Sequence, residues 1–363
     1  MKPKLSLIIG SRNDGYMGNF KYRFETVLNY LADNLKELGR LQDVEVVVAD
    51  WGSKVPLHSV LSLNWGARQI ARFVLVPPDI ACKLQGDSEF PIVLAQNVAV
   101  RRSRAEFIAQ TDSDIMFPLD FLATLFELLD GHRDIGVPID QALIVAKRRH
   151  LPWSLVSRNP GIQHLDWFIR HFGSFILADF NKGYECSSTG MMMMHRSLWE
   201  ECGGYDERLI HWGWMEIDLG LRIMQKYPWF DLLNLGVTVF HLEHYPPISQ
   251  RHTNRKCNPT VPNKIFSPSG NKWGLSEYVL EIFTYPSQAQ KTDLVKSEEQ
   301  RPVQLNFILL VTIVQVILNR SKILRLLMSY NYIAIRRIKI VWQMLHGNPI
   351  ILWTTLLKGL WQK

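Results

Sequence analysis

Strand-like and helix-like stretches alternate along residues 4–130, and this alternation constrains the fold more than any other feature of the chain. Leu5-Ser6-Leu7-Ile8-Ile9 is a short apolar run ended by Gly10, and residues 20–39 have helical spacing that stops at Gly39. Val44 to Ala49 is a β-branched run ending at Asp50-Trp51-Gly52-Ser53. Phe73 to Val76 reads as a strand closed by Pro77-Pro78. Residues 91–104 read as a helix with Pro91 in its first turn, and Phe107 to Thr111 as a strand ending at Asp112-Ser113-Asp114. Pro118 to Leu129 reads as a further helix. This order predicts an α/β fold with a mainly parallel sheet. Such sheets bind ligands outside the carboxyl ends of their strands. Polar residues gather at those ends here: Ser11-Arg12-Asn13-Asp14, then Asp50, then Asp112 and Asp114.

Farther along, residues 131–185 are less regular and rich in aromatic side chains. Gly190 to His195 reads as a strand, followed by a helix to Cys202 and a turn at Gly203-Gly204. Another helix begins near Trp214, and Asp231 to His241 reads as one strand. Residues 245–275 are rich in proline and read as a long loop, in which Arg251, Arg255, Lys256 and Lys264 supply positive charge. The expected organisation is an α/β domain over 1–285, a polar linker over 286–302 and a helical tail over 303–363.

The pair Asp112 and Asp114 carries the most chemistry. Two carboxylates one residue apart at a strand end can reach one hard divalent cation, Mn²⁺ or Mg²⁺, which favours oxygen ligands and is commonly shared with substrate phosphates. His241-Leu242-Glu243-His244 follows the last apolar strand. A His-x-x-His pair alone is a weak zinc signal, since no Cys or third His stands at suitable spacing.

These residues recur in a wider pattern. Ala95-Gln96-Asn97-Val98-Ala99, Arg104-Ala105-Glu106-Phe107-Ile108 and Asp112-Ser113-Asp114 resemble the A-R-N-x-G, G-E-(Y/F)-(I/L) and D-x-D stretch of family 2 glycosyltransferases with the GT-A fold. Leu5 to Asn13 resembles the first strand of that family, and Val44 to Ser53 its second strand with the D-D-G-S turn. Arg12, Gln96 and Trp51 replace the usual Tyr, Arg and Asp. Gly203-Gly204-Tyr205-Asp206-Glu207, then His211 to Leu219, then Arg222 resemble the C-terminal motif of the galactosyltransferase-like branch. The resemblance implies a GT-A, Rossmann-like fold. It also implies a metal-dependent, inverting transfer of a sugar from a nucleotide sugar, UDP-linked by family habit, to a saccharide or glycolipid acceptor in cell-surface glycan synthesis.

Residue by residue, the resemblance assigns the metal to Asp112, Asp114 and His241, with His244 as the second choice for the histidine. It assigns the donor to Ser11, Arg12, Asn13, Asp50, Asn97 and Asp112. Inversion needs a carboxylate to take the proton of the acceptor hydroxyl. Ungapped alignment puts Glu216 on the catalytic acid of the family and Asp218 on a later one, with Met215 on the first. Within a helix, residues 216 and 218 differ by ~200° around the axis, so both cannot face one site. Glu216 is the expected base, with Asp218 the alternative. Trp212 and Trp214 flank it and are expected to contact the acceptor.

Composition enters at the other end of the chain. The net charge is +7, yet residues 301–363 hold nine of the 41 Lys and Arg and none of the 34 Asp and Glu, so the body is slightly acidic. A uniformly basic nucleic-acid-binding domain is excluded, and no nucleic-acid partner is expected. Residues 322–346 alternate Ile323, Leu327, Ala334, Ile338 and Val341 with Lys322, Arg325, Arg336 and Lys339 at spacings of three and four. That is the pattern of a basic helix lying on an anionic membrane surface. Residues 302–319 are uncharged and stand near the length a membrane span needs. Four scattered cysteines without a CxxC pair fit a reducing compartment. The apolar run after Met1-Lys2-Pro3-Lys4 is too short for a signal peptide. The expected location is therefore the cytoplasmic face of a membrane, with residues 303–363 as the attachment. Two other readings are a nucleotidyltransferase on a related scaffold and a catalytically inactive membrane-bound scaffold. Gly10-Ser11-Arg12-Asn13 supplies little of the phosphate loop the first requires. The joint presence of Asp112, Asp114, Glu216 and His241 argues against the second.

Overall fold

The expected alternation of strand and helix folds into two sheets. In the computed structural model, residues 2–179, 184, 186, 187, 190–244, 256–259 and 266–286 are described. The strands are β1 (Leu5–Ser11), β2 (Val44–Trp51), β3 (Ala71–Val76), β4 (Phe107–Thr111), β5 (Ile115–Met116) and β6 (Leu143–Ala146). They continue with β7 (Arg148–Leu151), β8 (Met191–His195), β9 (Trp229–Asp231), β10 (Val239–Leu242) and β11 (Glu281–Thr284). An eight-stranded sheet runs β11-β3-β2-β1-β4-β8-β6-β9. Its centre, β3-β2-β1-β4, is parallel, β8 is antiparallel to both β4 and β6, and β11 is antiparallel to β3. The chain is thus α/β with a mostly parallel central sheet, as the sequence pattern and the resemblance imply.

Helices cover both faces of this sheet, so its central strands are apolar without interruption. All eight residues of β2 are buried, and Met191 to Met194 of β8 are fully enclosed. One face buries Leu5, Leu7 and Ile9 against helix Phe20–Glu37, which turns Phe24, Leu28, Leu31 and Leu35 inward at helical spacing. The opposite face buries Ile8, Val47 and Ala49 against helix Ile92–Arg102. Gly10 lets that helix approach the end of β1. An added Cβ would lie 2.8 Å from Ala95 Cβ and 2.9 Å from Ile92 Cδ1.

Residues 231–241 differ from the single strand expected. Asp231 ends β9, and its carboxylate accepts a hydrogen bond from Leu233 N at 2.9 Å, starting a 3₁₀ turn over Leu232–Leu235. Gly236 then takes a left-handed φ of 80°. The chain leaves the large sheet there and re-enters as β10 in a second, three-stranded sheet ordered β5-β10-β7. In that small sheet His241 stands opposite Ile115 on one side and His150 on the other. Leu242 N also donates to Asp114 O at 2.9 Å. The sheet therefore locks the residue after the second acid of the DxD motif to the histidine segment.

No helix among the described residues is long and apolar enough to cross a membrane. The tail at 303–363, most of the linker before it, and Arg251, Arg255 and Lys264 lie outside the described residues.

Candidate active site

A cavity of about 460 Å³ opens at the carboxyl ends of β1 and β4, where the α/β pattern places it. Ser11 and Arg12 line it from β1, Asp112 and Asp114 from the turn after β4, His241 and His244 from β10 and its exit, and Glu216 and Trp212 from the start of helix Met215–Ile223. One space thus gathers residues separated by more than two hundred positions in the chain.

Asp114, His241 and His244 form one cluster in it, with one ligand atom from each within 4.8 Å of the others, and His150, His241 and Glu243 form a second that meets the same distance. Asp114 Oδ2 lies 3.4 Å from His241 Nε2 and 3.5 Å from His244 Nε2, while Arg23 Nε from helix Phe20–Glu37 approaches to 3.8 Å. Burial alone would raise the Asp114 carboxyl, but His241, His244 and Arg23 hold it well below the usual carboxylate range. Burial also pushes His244 down to about 3 and lowers His241, with Asp114 opposing in both. A carboxylate and two imidazoles converging on one point form a donor set that binds a divalent cation once both imidazoles are neutral. The buried His241 Nδ1 has no hydrogen-bond partner among the described residues. This donor set, oxygen with imidazole nitrogen, fits a divalent metal ion.

Asp112 stands apart from that cluster. Its Oδ2 is 3.7 Å from Arg148 Nη1 on β7. Desolvation, with Asp114 and Glu216 adding to it and Arg148 opposing, pushes the Asp112 carboxyl up to about 7. Glu216, half-buried in the first turn of its helix, is raised by desolvation too, and Arg148 again opposes. A carboxylate with a raised pKa in a cleft is suited to accept a proton at neutral pH.

Five sequence-assigned residues lie outside the cavity lining. Asp218 is buried and accepts a hydrogen bond from Arg222 Nε at 2.8 Å, on the helix face turned away from Glu216. Asn97 is also buried and holds the Tyr205 backbone instead. Asp50 accepts hydrogen bonds from Ser53 Oγ and, at 2.7 Å, from Leu57 N. Asn13 joins the end of β1 to the turn after β2: its N–H donates to Ser53 Oγ at 2.8 Å and its Nδ2 to Val55 O at 2.9 Å. Trp214 is likewise absent from the lining. It adopts a left-handed φ of 71° just before the helix, with its ring edge-on to Tyr184. Trp212 remains at the cavity, 44% exposed.

Sequence reasoning missed Arg23, Arg148, His150 and Glu243. His150 Nε2 lies 2.9 Å from Asp179 Oδ2, and its Nδ1 3.1 Å from Glu243 Oε2. Only Arg23 left a signal in the sequence, as a cation three residues after Phe20 on the apolar stripe of its helix.

No family model matches the chain. A chondroitin synthase of Pasteurella multocida strain Pm70 is 24% identical over 245 residues, which are 61% of this chain and 24% of that protein. A hyaluronan synthase of Pasteurella multocida is 22% identical over 246 residues, 60% of this chain and 23% of that protein. The chain spans about a quarter of the length of these two curated relatives. The crystal structure of S. aureus TarS 1–349 superposes with a TM-score of 0.40 at 17% identity, covering 66% of this chain and 60% of that one.

Proposed function

We propose that this chain, a sequence relative of polysaccharide synthases and similar to family 2 glycosyltransferases, is a metal-dependent, inverting glycosyltransferase. It moves a sugar from a nucleotide sugar, UDP-linked, to a hydroxyl of a saccharide or glycolipid in cell-surface glycan synthesis. The observation that carries this reading is one cavity lined by Asp112, Asp114, His241, His244 and Glu216.

Its electrostatics support the same reading. Among the described residues, seven carboxylates line the cavity against three guanidinium or ammonium groups. A nucleoside diphosphate, itself anionic, is repelled by such a lining unless a cation enters with it. Asp114, His241 and His244 would hold that cation, with Asp112 at its edge; when bound, it neutralises charge developing on the departing diphosphate. Glu216 takes the proton of the attacking hydroxyl. Trp212 offers an exposed ring for the acceptor sugar, and Ser11 and Arg12 border the donor. A nucleotidyltransferase is disfavoured, because β1 ends in Ser11-Arg12-Asn13 without a glycine- and lysine-rich phosphate loop. Attachment to an anionic membrane surface through residues 303–363 is supported by their basic amphipathic pattern.

The test is a panel of nucleotide sugars with Mn²⁺ and oligosaccharide acceptors, using the full chain. The expected result is release of UDP that needs both acceptor and metal, stops on chelation, and yields a product of inverted anomeric configuration by NMR. Equal turnover after chelation would refute the metal role, and a retained configuration the inverting one. Incorporation of the nucleotide into product would favour a nucleotidyltransferase.

A further inference from the structure

We propose that Arg148 binds the donor diphosphate, holding the charge that gathers on it as the sugar leaves. The assignment rests on the glycosyltransferase reading above. Among the described residues, three permanent cations line the cavity: Arg12, Arg148 and Lys256. Arg12 is turned to the β1 side, where it pairs with Asp14 at 2.8 Å, donates to Glu89 O at 2.8 Å and covers the Phe90 ring. Lys256 is ion-paired with Asp87 at the exposed rim. Arg148 alone of the three stands among the carboxylates of the proposed chemistry.

Its place is fixed by the small sheet. β7 runs parallel to β10 with Arg148 beside Val239, so alternation along β7 turns Arg148 and His150 to the same face, and both line the cavity. Arg148 Nε lies 3.1 Å from Asp179 Oδ2, and Asp179 N donates back to Arg148 O at 2.8 Å. That pair sets the plane of the guanidinium and points its Nη1 corner toward Asp112, 3.7 Å away. A planar guanidinium held this way suits phosphate oxygens, which it meets through paired N–H donors. With a cation held by Asp114, His241 and His244, the cavity would offer the diphosphate a second positive pole beside the guanidinium on the Asp112 side. In the transfer, the acceptor oxygen bonds to the anomeric carbon and gives its proton to Glu216. The bond from that carbon to the phosphate oxygen breaks, and its electron pair stays on the diphosphate beside Arg148.

The probe is UDP, titrated calorimetrically into the full chain with Mn²⁺. R148M should weaken binding about 10- to 100-fold. R148K, which keeps the charge and loses the fork, should fall between and guards against a folding defect in R148M; thermal melts report whether each variant is folded. Because UDP lacks the transferred sugar, a loss measured with it lies in the nucleoside or the diphosphate, and a parallel titration with uridine that shows no change assigns it to the phosphates. Wild-type UDP affinity in either folded variant would overturn the assignment, as would a loss seen with an intact nucleotide sugar and not with UDP. Failure of the wild type to bind UDP with Mn²⁺ would instead strike the glycosyltransferase reading itself.

Discussion

Asn97 and Tyr205 close a pair of hydrogen bonds across 108 positions of sequence: Tyr205 N donates to Asn97 Oδ1 at 2.8 Å, and Asn97 Nδ2 donates to Tyr205 O at 3.0 Å. The same Nδ2 reaches Glu207 Oε1 at 3.0 Å, and Glu207 Oε1 accepts from Gly274 N at 2.7 Å. Asn97 thus ties helix Ile92–Arg102 to the Gly203–Glu207 turn, from which the chain proceeds to Trp212 and Glu216. Gly204 completes the fit, since at φ 69° an added Cβ would overlap Asn97 Oδ1 and the Trp273 ring.

Asn97→Ala should therefore act on stability. It strands the buried Tyr205 N–H and carbonyl, at a cost of about 2 to 4 kcal/mol. Chemical denaturation checks the size. Gly204→Ala should destabilise as well, through strain and overlap. An N97A protein that melts like wild type yet loses UDP binding would restore Asn97 to the donor site.

Glu216 and Asp218 separate by the kind of damage their loss causes. Glu216→Gln should slow transfer by about 10²- to 10⁴-fold while UDP affinity and melting temperature stay near wild type. Asp218→Asn should unfold the protein more easily, by about 3 to 5 kcal/mol, because it leaves the fully buried Arg222 guanidinium without its carboxylate. Arg222 also donates to Cys202 O, Gly204 O and Phe266 O, so the damage spreads to the segments around it. Steady-state rates and melting curves on both variants decide the matter; a normal turnover for E216Q would move the base elsewhere.

Metal affinity should follow the observed cluster. Asp114→Asn, His241→Ala and His244→Ala are each expected to weaken Mn²⁺ binding at least tenfold, and Asp112→Asn less, since Asp112 sits with Arg148 outside that cluster. Mn²⁺ titration followed by electron paramagnetic resonance, in the absence of nucleotide, measures this directly. An H244A variant with wild-type Mn²⁺ affinity would return the site to Asp112, Asp114 and His241.

What the sequence revealed and what it hid have physical causes. The parallel strands announce themselves because burial on both faces makes them continuous apolar runs, and polar residues mark their functional ends. Asp112, Asp114, Glu216 and His241 were legible because each sits at the boundary of such an element. Arg148 and His150 were not, because β7 is a short polar strand of a small sheet whose register depends on β10, far away in sequence. Asn97 and Asp218 read as site residues and lie buried outside the cavity lining. A polar residue inside a motif reads the same whether it meets a ligand or satisfies buried backbone, and only the fold shows Tyr205 and Arg222 as their partners.

Glu45 gives the fold a measurable acid sensitivity away from the cavity. It is nearly enclosed on β2, accepting from Ser6 Oγ at 2.6 Å, Arg72 Nη1 at 2.7 Å, Arg104 Nε at 2.8 Å and Arg104 N. Burial pushes its carboxyl up, but the Ser6 and Arg104 hydrogen bonds and the Arg72 charge outweigh this and hold it below its ordinary 4.5. With the folded value depressed, the unfolded chain binds the Glu45 proton first as pH falls. The stabilisation is therefore full above about 4.5 and drains away as pH drops through the folded value. Glu45→Gln should cost about 3 kcal/mol at neutral pH, where two arginines are left facing a neutral amide. It should also flatten the fall in stability below about pH 4.5 relative to wild type. Urea midpoints at a series of acidic pH values test both effects, and an E45Q curve that parallels wild type through that window would show that Glu45 titrates alike in the folded and unfolded chain.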